Sequence, residues 1–591
     1  MPIPRSLPLP LAPANRGPGA LVPCAHGTGC PLGVDIPSLV GALRARDRER
    51  AYRVARAANP FPATCGYGCH APCETACSRR YFGAPVGIAA LERHAAGGGP
   101  PTLAWPADLP CTSAHDVRSV AGLVGLAPDE AVRAPRSGHR VAIVGAGAAG
   151  LACAHDLTLL GHACVLFDAA PEPGGLLTGA LPGFRFPVAA ARAESAAILE
   201  MGVEFQGGYR MSSGAELRGL LAAEFDAVFV AIGASAPREA PFPDQPAHAG
   251  VADAMDVLRG TVVPNGATLV AGDGDLAVDA ARVIRHTAMA GLRPAPVVAL
   301  ALAGPLEDSG AAPAALAAAL AEGVRLHAGW DPVRYLTRES GTLAGVELAR
   351  RDDRVTMVVP CEHVVMAGAR RADADPFAPD LLVDGTGPVL ADPDTLQTSM
   401  QGVWAGGACV FGHRSIAHAI ADGKRAAWHI HGALTARPVQ VTVAGAWVEV
   451  DDWDPERAAR ALATPPAATP APSPPPADPF AGDSPASATA AAREGDRCFD
   501  CAVLPVIDDR CTTCGTCVRA CPEGAFQLAA GPPKTLRLDP GVCTRCGICV
   551  GRCPEGAIAM QRFVWEERLT VAPERSAPMP RTRDRFATPV A

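Results

Sequence analysis

The stretch "CTTCGTCVRACP", residues 511–522, returns almost unchanged as "CTRCGICVGRCP", residues 543–554. Nothing else in the chain restricts its fold so tightly. Three cysteines at two-residue intervals fit around one tight loop, while a fourth, followed by proline, falls on the next turn and faces the other repeat. This is the spacing of a protein segment that holds two 4Fe-4S clusters and lets the fourth cysteine cross over. It predicts one cluster on Cys511, Cys514, Cys517 and Cys553, and another on Cys543, Cys546, Cys549 and Cys521. Zinc takes two separated cysteine pairs rather than three even spacings closed by Cys-Pro. Gly515 and Gly547 let backbone amides approach the sulfurs, one way a protein sets cluster potential.

The remaining cysteines extend that argument. Twenty-one cysteines in a large chain with no secretory leader point to metal ligation or redox work rather than disulfides. Prolines interrupt every apolar run of "MPIPRSLPLPLAPANRG" at the N-terminus, and runs such as "VVALALAG" at 297–304 are far shorter than the ~20 residues a membrane helix needs. No membrane span and a cytoplasmic location are expected. A net charge of −8 without a long basic run argues against nucleic acid as a partner.

"RVAIVGAGAAGLACAHDLTLLGHACVLFD", residues 140–168, reads as a strand, a glycine turn at Gly145, Gly147, Ala149 and Gly150, a helix, and a second strand ending in Asp168. Glycines there allow close backbone approach to a pyrophosphate at the helix N-terminus, and the acidic residue suits a ribose hydroxyl. In "PEPGGLLTGALPGFRFP", 171–187, Gly174 and Gly175 resemble the second glycine pair of flavoproteins of the glutathione-reductase type, which implies FAD; Arg185 and Gly233 are counted among its contacts. "DTLQTSMQGVWAGGACVFGHRSIAHAIADGKRAA", 394–427, looks like the region that closes over the flavin's ribityl chain, with Gly407, Ala408 and Ser415 facing it. His413 is expected to donate a hydrogen bond to the cofactor. A second unit, "ATLVAGDGDLAVDAARVIRHTA", 267–288, repeats the strand, turn and helix with Gly272, Gly274, Asp275 and Ala277 and fits NAD(H) or NADP(H).

The fold expected is therefore a multi-domain α/β protein: an α-helical iron-sulfur domain at 20–100, a FAD-binding domain at 138–250 and 376–440, and a dinucleotide domain inserted at 251–375. A Pro/Ala-rich linker at 455–495, an α+β ferredoxin-like domain at 496–563 and a tail at 564–591 complete it.

With "CPLGVDIP", "NPFPATCGYGCHAPCETAC", "VAIVGAGAAGLACA" and "TLQTSMQGVWAGG" in place, residues 20–435 resemble the small, flavin-containing subunit of glutamate synthase and the N-terminal part of dihydropyrimidine dehydrogenase. A branch of that family carries a C-terminal two-cluster module and is associated with ferredoxin-linked oxidoreductases. The resemblance implies two further 4Fe-4S clusters near the N-terminus: one on Cys30, Cys69 and Cys73 with Glu92 as oxygen donor, the other on Cys24 and Cys77. Cys65 reads as an additional thiol near the first. The second cluster is two ligands short, because the Cys-x-x-Cys of relatives upstream of Cys24 is missing. "RCFDC" supplies Cys498 and Cys501, and the expectation is that the linker folds back so that they complete it.

Relatives end the second strand of the nicotinamide unit with two arginines; this chain has "VVALALAGPLED", where Glu307 or Asp308 suits NADH instead. They also carry an aspartate where Ala408 stands. The resemblance implies a flavoprotein subunit that exchanges electrons between a nicotinamide cofactor and a ferredoxin or partner redox enzyme. The alternative is a wire subunit whose nicotinamide site has decayed, coupling a partner such as a 2-oxoacid:ferredoxin oxidoreductase to another acceptor.

Overall fold

A computed structural model describes most of residues 22–572, leaving out 26–28, 98–110, 127–133, 239–241, 243, 292–296, 305, 307–308, 351–354, 379, 385–386, 451–452, 455, 467–484 and 530–534. Glu307 and Asp308 lie outside the described residues. Among the described residues no helix is long and apolar enough to cross a membrane.

The N-terminal unit is helical for local reasons. Asp35 and Asp47 cap the helices Ile36–Arg44 and Arg48–Ala58 by accepting the amides of Ser38 and Arg50 at 3.1 and 2.9 Å, a contribution of about 1 kcal/mol each. The second helix stops at Asn59, ahead of Pro60. Ile36, Leu39, Val40 and Leu43 are buried on one face, each adding roughly 1.5–3 kcal/mol. Helices Pro62–Gly68 and Ile88–Ala96 pack beside them and carry Cys65 and Glu92.

Two parallel sheets follow. Arg140–Val144 lies between Ala163–Asp168 and Ala227–Val230, with Glu204–Gly207 at one edge and Val403–Ala405, which returns after the whole inserted domain, at the other. The inserted sheet orders Val251–Asp253, His363–Ala367, Thr268–Gly272, Val298–Leu302 and Arg325–Ala328. Gly145 and Gly272 occupy equivalent places at the ends of the first strands, both with positive φ. A Cβ on either would stand 2.3 or 2.2 Å from the carbonyl oxygen of Ala231 or Ala367 on the adjoining strand. Only glycine lets the strands close there.

Three features depart from the sequence reading. The supposed linker 455–495 carries a helix at each end, Glu456–Ala463 and Pro485–Asp496, because its alanines outweigh its prolines there. Pro485–Asp496 packs on Ile36–Arg44 and Ile88–Ala96, and the central part, 467–484, lies outside the described residues. The strand Ile558–Val571 runs on past 563 into the supposed tail. It pairs along its length with Val439–Glu449, a segment directly following the second FAD-side portion. Trp565 donates its indole N–H to Thr112 O at 3.0 Å and is buried against the N-terminal half, so the C-terminal module is built into the rest of the protein.

Candidate functional site

An open cleft runs along the carboxyl ends of the FAD-side strands. Gly145, Gly147, Ala149, Asp168, Gly174, Gly175, Gly233, Gly407, Ala408 and Ser415 all line it. Gly150 sits one step behind, packed so closely that a Cβ would stand 1.8 Å from Gly145 O. Asp168 accepts the amides of Ala146 and Ala170 at 2.6 and 2.7 Å, which fixes its carboxylate at the mouth of the turn. Ser415 caps the helix Ile416–Leu434 through His418 N, so the positive end of a 19-residue helix opens on the cleft. Shape, glycine turn and helix end fit a dinucleotide such as FAD.

Two expected contacts are used otherwise. Arg185 is not free for a cofactor: its guanidinium holds Asp275 and, at 2.7 Å, Asp279, both on the helix Gly274–Gly291 of the inserted domain. Asp275 also accepts Ala312 N at 2.8 Å and faces His70 at 3.7 Å; these hydrogen bonds hold it below the usual carboxylate range although burial opposes them. Ala277, on the same helix, is buried. His413 lines the cleft, but its Nε2 lies 2.8 Å from Ala234 O rather than facing the cofactor. Asp422, held by Arg414 at 2.5 Å, also lines the cleft. Nothing local in the sequence marks it; it stands 14 residues beyond Ala408, inside a helix.

The cysteines gather in separate places. Cys511, Cys514, Cys517 and Cys553 line one cavity of about 300 Å³, and Cys521, Cys543, Cys546 and Cys549 line another of about 300 Å³, which is the crossed pairing the spacing predicts. A third cavity of about 350 Å³ is lined by Cys30, Cys69, Cys73 and Glu92, together with Cys65. Cys65, the additional thiol, is buried one helical turn before Cys69. Burial holds the carboxyl of Glu92 up at about 8, opposed by the Asn59 amide that donates to it at 3.0 Å. Cys24, Cys77, Cys498 and Cys501 come together: burial first, then Cys501, Cys77 and Cys498 push the Cys24 thiol upward.

Burial likewise raises Cys30 and Cys549 to about 12, and a bound cation would favour their thiolate forms. Among the described residues, no three His, Cys, Asp or Glu side chains gather tightly enough to hold one metal ion. Thiols spread around the wall of a cavity fit the wider footprint of an iron-sulfur cube instead. The third cavity touches the cleft: Ala417 lines the one, Ser415, Ile416 and Ala419 the other, and the Cys69 thiol bonds Ala417 backbone and the Ser415 side chain.

Three family models match the chain: pyridine nucleotide-disulphide oxidoreductase over residues 139–423, dihydropyrimidine dehydrogenase domain II with its 4Fe-4S cluster over 21–98, and the 4Fe-4S dicluster domain over 510–557. The chain is 29% identical to the NADP(+)-dependent formate dehydrogenase subunit beta of Moorella thermoacetica, covering 76% of this chain and 65% of that one. It is 26% identical to a homolog of the PreT subunit of NAD-dependent dihydropyrimidine dehydrogenase from Salmonella typhi, covering 70% and 91%. It is 29% identical to the NADH glutamate synthase of Schizosaccharomyces pombe, covering 40% and 10%. This chain thus spans just under two thirds of the formate dehydrogenase subunit. The first match implies FAD and a nicotinamide dinucleotide, the other two 4Fe-4S clusters at both ends. The core of the chain, residues 139–423, is a flavin-type pyridine nucleotide-disulphide oxidoreductase unit, and it lies between a dihydropyrimidine dehydrogenase domain II match and a 4Fe-4S dicluster match.

Proposed function

We propose that the protein takes electrons from, or returns them to, a nicotinamide dinucleotide and exchanges them one at a time with a partner redox enzyme or a ferredoxin. The observation that carries this reading is the wall shared by the flavin cleft and the Cys30, Cys69 and Cys73 cavity, where Ser415 meets Cys69. Bound FAD supplies the conversion between hydride and single-electron chemistry. The protein's share is placement: the Gly145 to Gly150 turn and the Ser415 helix end receive the dinucleotide, and Cys30, Cys69 and Cys73 with Glu92 hold a cluster against it. On the far side, Cys514 is exposed while Cys543 and Cys549 are buried, which gives electrons an exit at the surface of the dicluster module. The relatives named as subunits support a partner protein at that exit.

A second reading, a wire subunit without nicotinamide turnover, is favoured by "VVALALAGPLED", which offers no arginine where the strand Val298–Leu302 ends. Anaerobic titration of the cluster-replete protein with NADH and then NADPH separates the two. Rapid bleaching of flavin and cluster absorbance by either supports the oxidoreductase reading. Bleaching by dithionite alone overturns it in favour of the wire.

A further inference from the structure

We propose that Cys498 and Cys501 join Cys24 and Cys77 to hold one 4Fe-4S cluster, so that a single metal centre is assembled from the two ends of the chain. Residues 1–23 hold no cysteine, and of the cysteines in the N-terminal unit Cys30, Cys65, Cys69 and Cys73 line the flavin-side cavity, which leaves Cys24 and Cys77 for this place. The segment "RCFDC" brings the other two.

The geometry of that segment is the first argument. In the dicluster module, the third residue of each Cys-x-x-Cys loop, Thr513 or Arg545, is forced into the left-handed region at φ 53° and 60°. Such a conformation is one that non-glycine residues seldom adopt. Arg545 N then donates to Cys543 Sγ at 3.4 Å. Asp500 holds the same third position between Cys498 and Cys501, with φ 55°, and its amide donates to Cys498 Sγ at 3.4 Å. The loop has the shape of a cluster-binding loop, and a spare cysteine pair has no need of it.

The second argument is how firmly the loop is set against Cys77. Cys501 Sγ lies 3.5 Å from the hydroxyl of Ser78, the residue after Cys77. Arg497, 1% exposed, donates to the carbonyls of Ala84 and Pro85 at 2.5 and 2.7 Å. Glu494 accepts Gly87 N at 2.8 Å, and the Phe499 ring meets Phe82 edge-on at 5.3 Å. Two residue stretches far apart in sequence are locked together at the place where four thiols converge.

Iron analysis of the full chain, reconstituted anaerobically with iron and sulfide, tests the site without any nucleotide, so its failure is distinct from failure of the nicotinamide reading. The proposal rests only on the iron-sulfur part of that reading. C498S/C501S is expected to lose one cluster's iron, about four atoms per flavin, and C24S/C77S the same; the quadruple variant is expected to lose no more than either pair. Unchanged iron in C498S/C501S, or additive losses in the quadruple variant, would overturn it. Should the variants fail to fold, alkylation of the wild-type chain decides. Under a chelator, Cys24, Cys77, Cys498 and Cys501 are expected to become reactive on one time course; labelling of Cys498 and Cys501 that ignores the iron content sinks the proposal.

Discussion

Arg185 Nη1 stands 2.7 Å from Asp279 Oδ2 across the seam between the flavin-side domain and the inserted dinucleotide domain. Asp279 is almost wholly buried, and burial pushes its carboxyl to about 6 even though Arg185 pulls the other way. Removing the guanidinium leaves that carboxyl without its counter-charge. Arg185→Met is therefore expected to destabilise the protein by about 1–3 kcal/mol, less than the ~3–5 of a fully buried pair because Arg185 is partly exposed. Flavin content should stay near normal. A denaturant midpoint equal to that of the parent would contradict this.

Inside the flavin-side domain, Lys424 and Asp156 form an ion pair at 2.5 Å with both side chains wholly buried. Trp428 and His155 also bond Asp156, at 3.0 and 2.8 Å. Breaking the pair from one side should cost about 3–5 kcal/mol, since one charge is then left buried and unpaired. K424M and D156N are each expected to lower the temperature of flavin release strongly, and the K424M/D156N double variant to fall well short of their sum. Strict additivity would show that the two groups are not coupled.

Glu194 reaches from the flavin-side helix Val188–Glu200 to the start of Pro62–Gly68, accepting Ala63 N and Thr64 N at 2.8 and 3.0 Å. Burial raises its carboxyl from an ordinary 4.5 to about 7. The folded protein thus holds a proton that the unfolded chain gives up. Its contribution to stability is full below about pH 4.5 and is lost as pH rises through about 7, a slope of on the order of 1 kcal/mol per unit between them. E194Q should remove that part of the slope. A melting profile with the same pH dependence in both proteins would rule it out.

On the proposed ligand set Glu92 takes the fourth place in the flavin-side cavity, and Cys65 is its rival. Both line it, and Asn59 bonds each of them. With Glu92 as the oxygen donor, E92A should lose about four irons per flavin and C65S none. The reverse pattern would hand the place to Cys65.

Exposure also orders the loss of iron. Cys514 is open to solvent, whereas Cys24 and Cys543 are buried. A strong iron chelator should strip the chain in at least two phases, the fast one confined to the cavity of Cys511, Cys514, Cys517 and Cys553. Single-phase release of all the iron would contradict the burial difference.

Motifs whose chemistry is local could be read from the chain. The crossed cysteine pairing and the glycine turns at Gly145 and Gly272 follow from spacing alone, because a loop of three or four residues decides them. What escaped was decided by distant partners. Trp447 opposite Phe563 pairs two strands more than a hundred residues apart, and neither strand alone announces the other. Arg185 carries no sign that its partners lie on another domain, and the helix Pro485–Asp496 is stabilised by surfaces at Ile36–Arg44 that the local Pro/Ala composition does not reveal.

The meeting of Cys501 with the Ser78 turn joins residues 423 positions apart. A ribosome adding ~5–20 residues per second takes on the order of a minute to cover that distance. On the proposed ligand set, the thiols of Cys24 and Cys77 emerge early and wait, half-equipped, for donors not yet synthesised. Loading of that cluster is then a late event in the protein's making, and a chain cut short before its final hundred residues reaches the iron-delivery machinery with an empty place no local repair can fill.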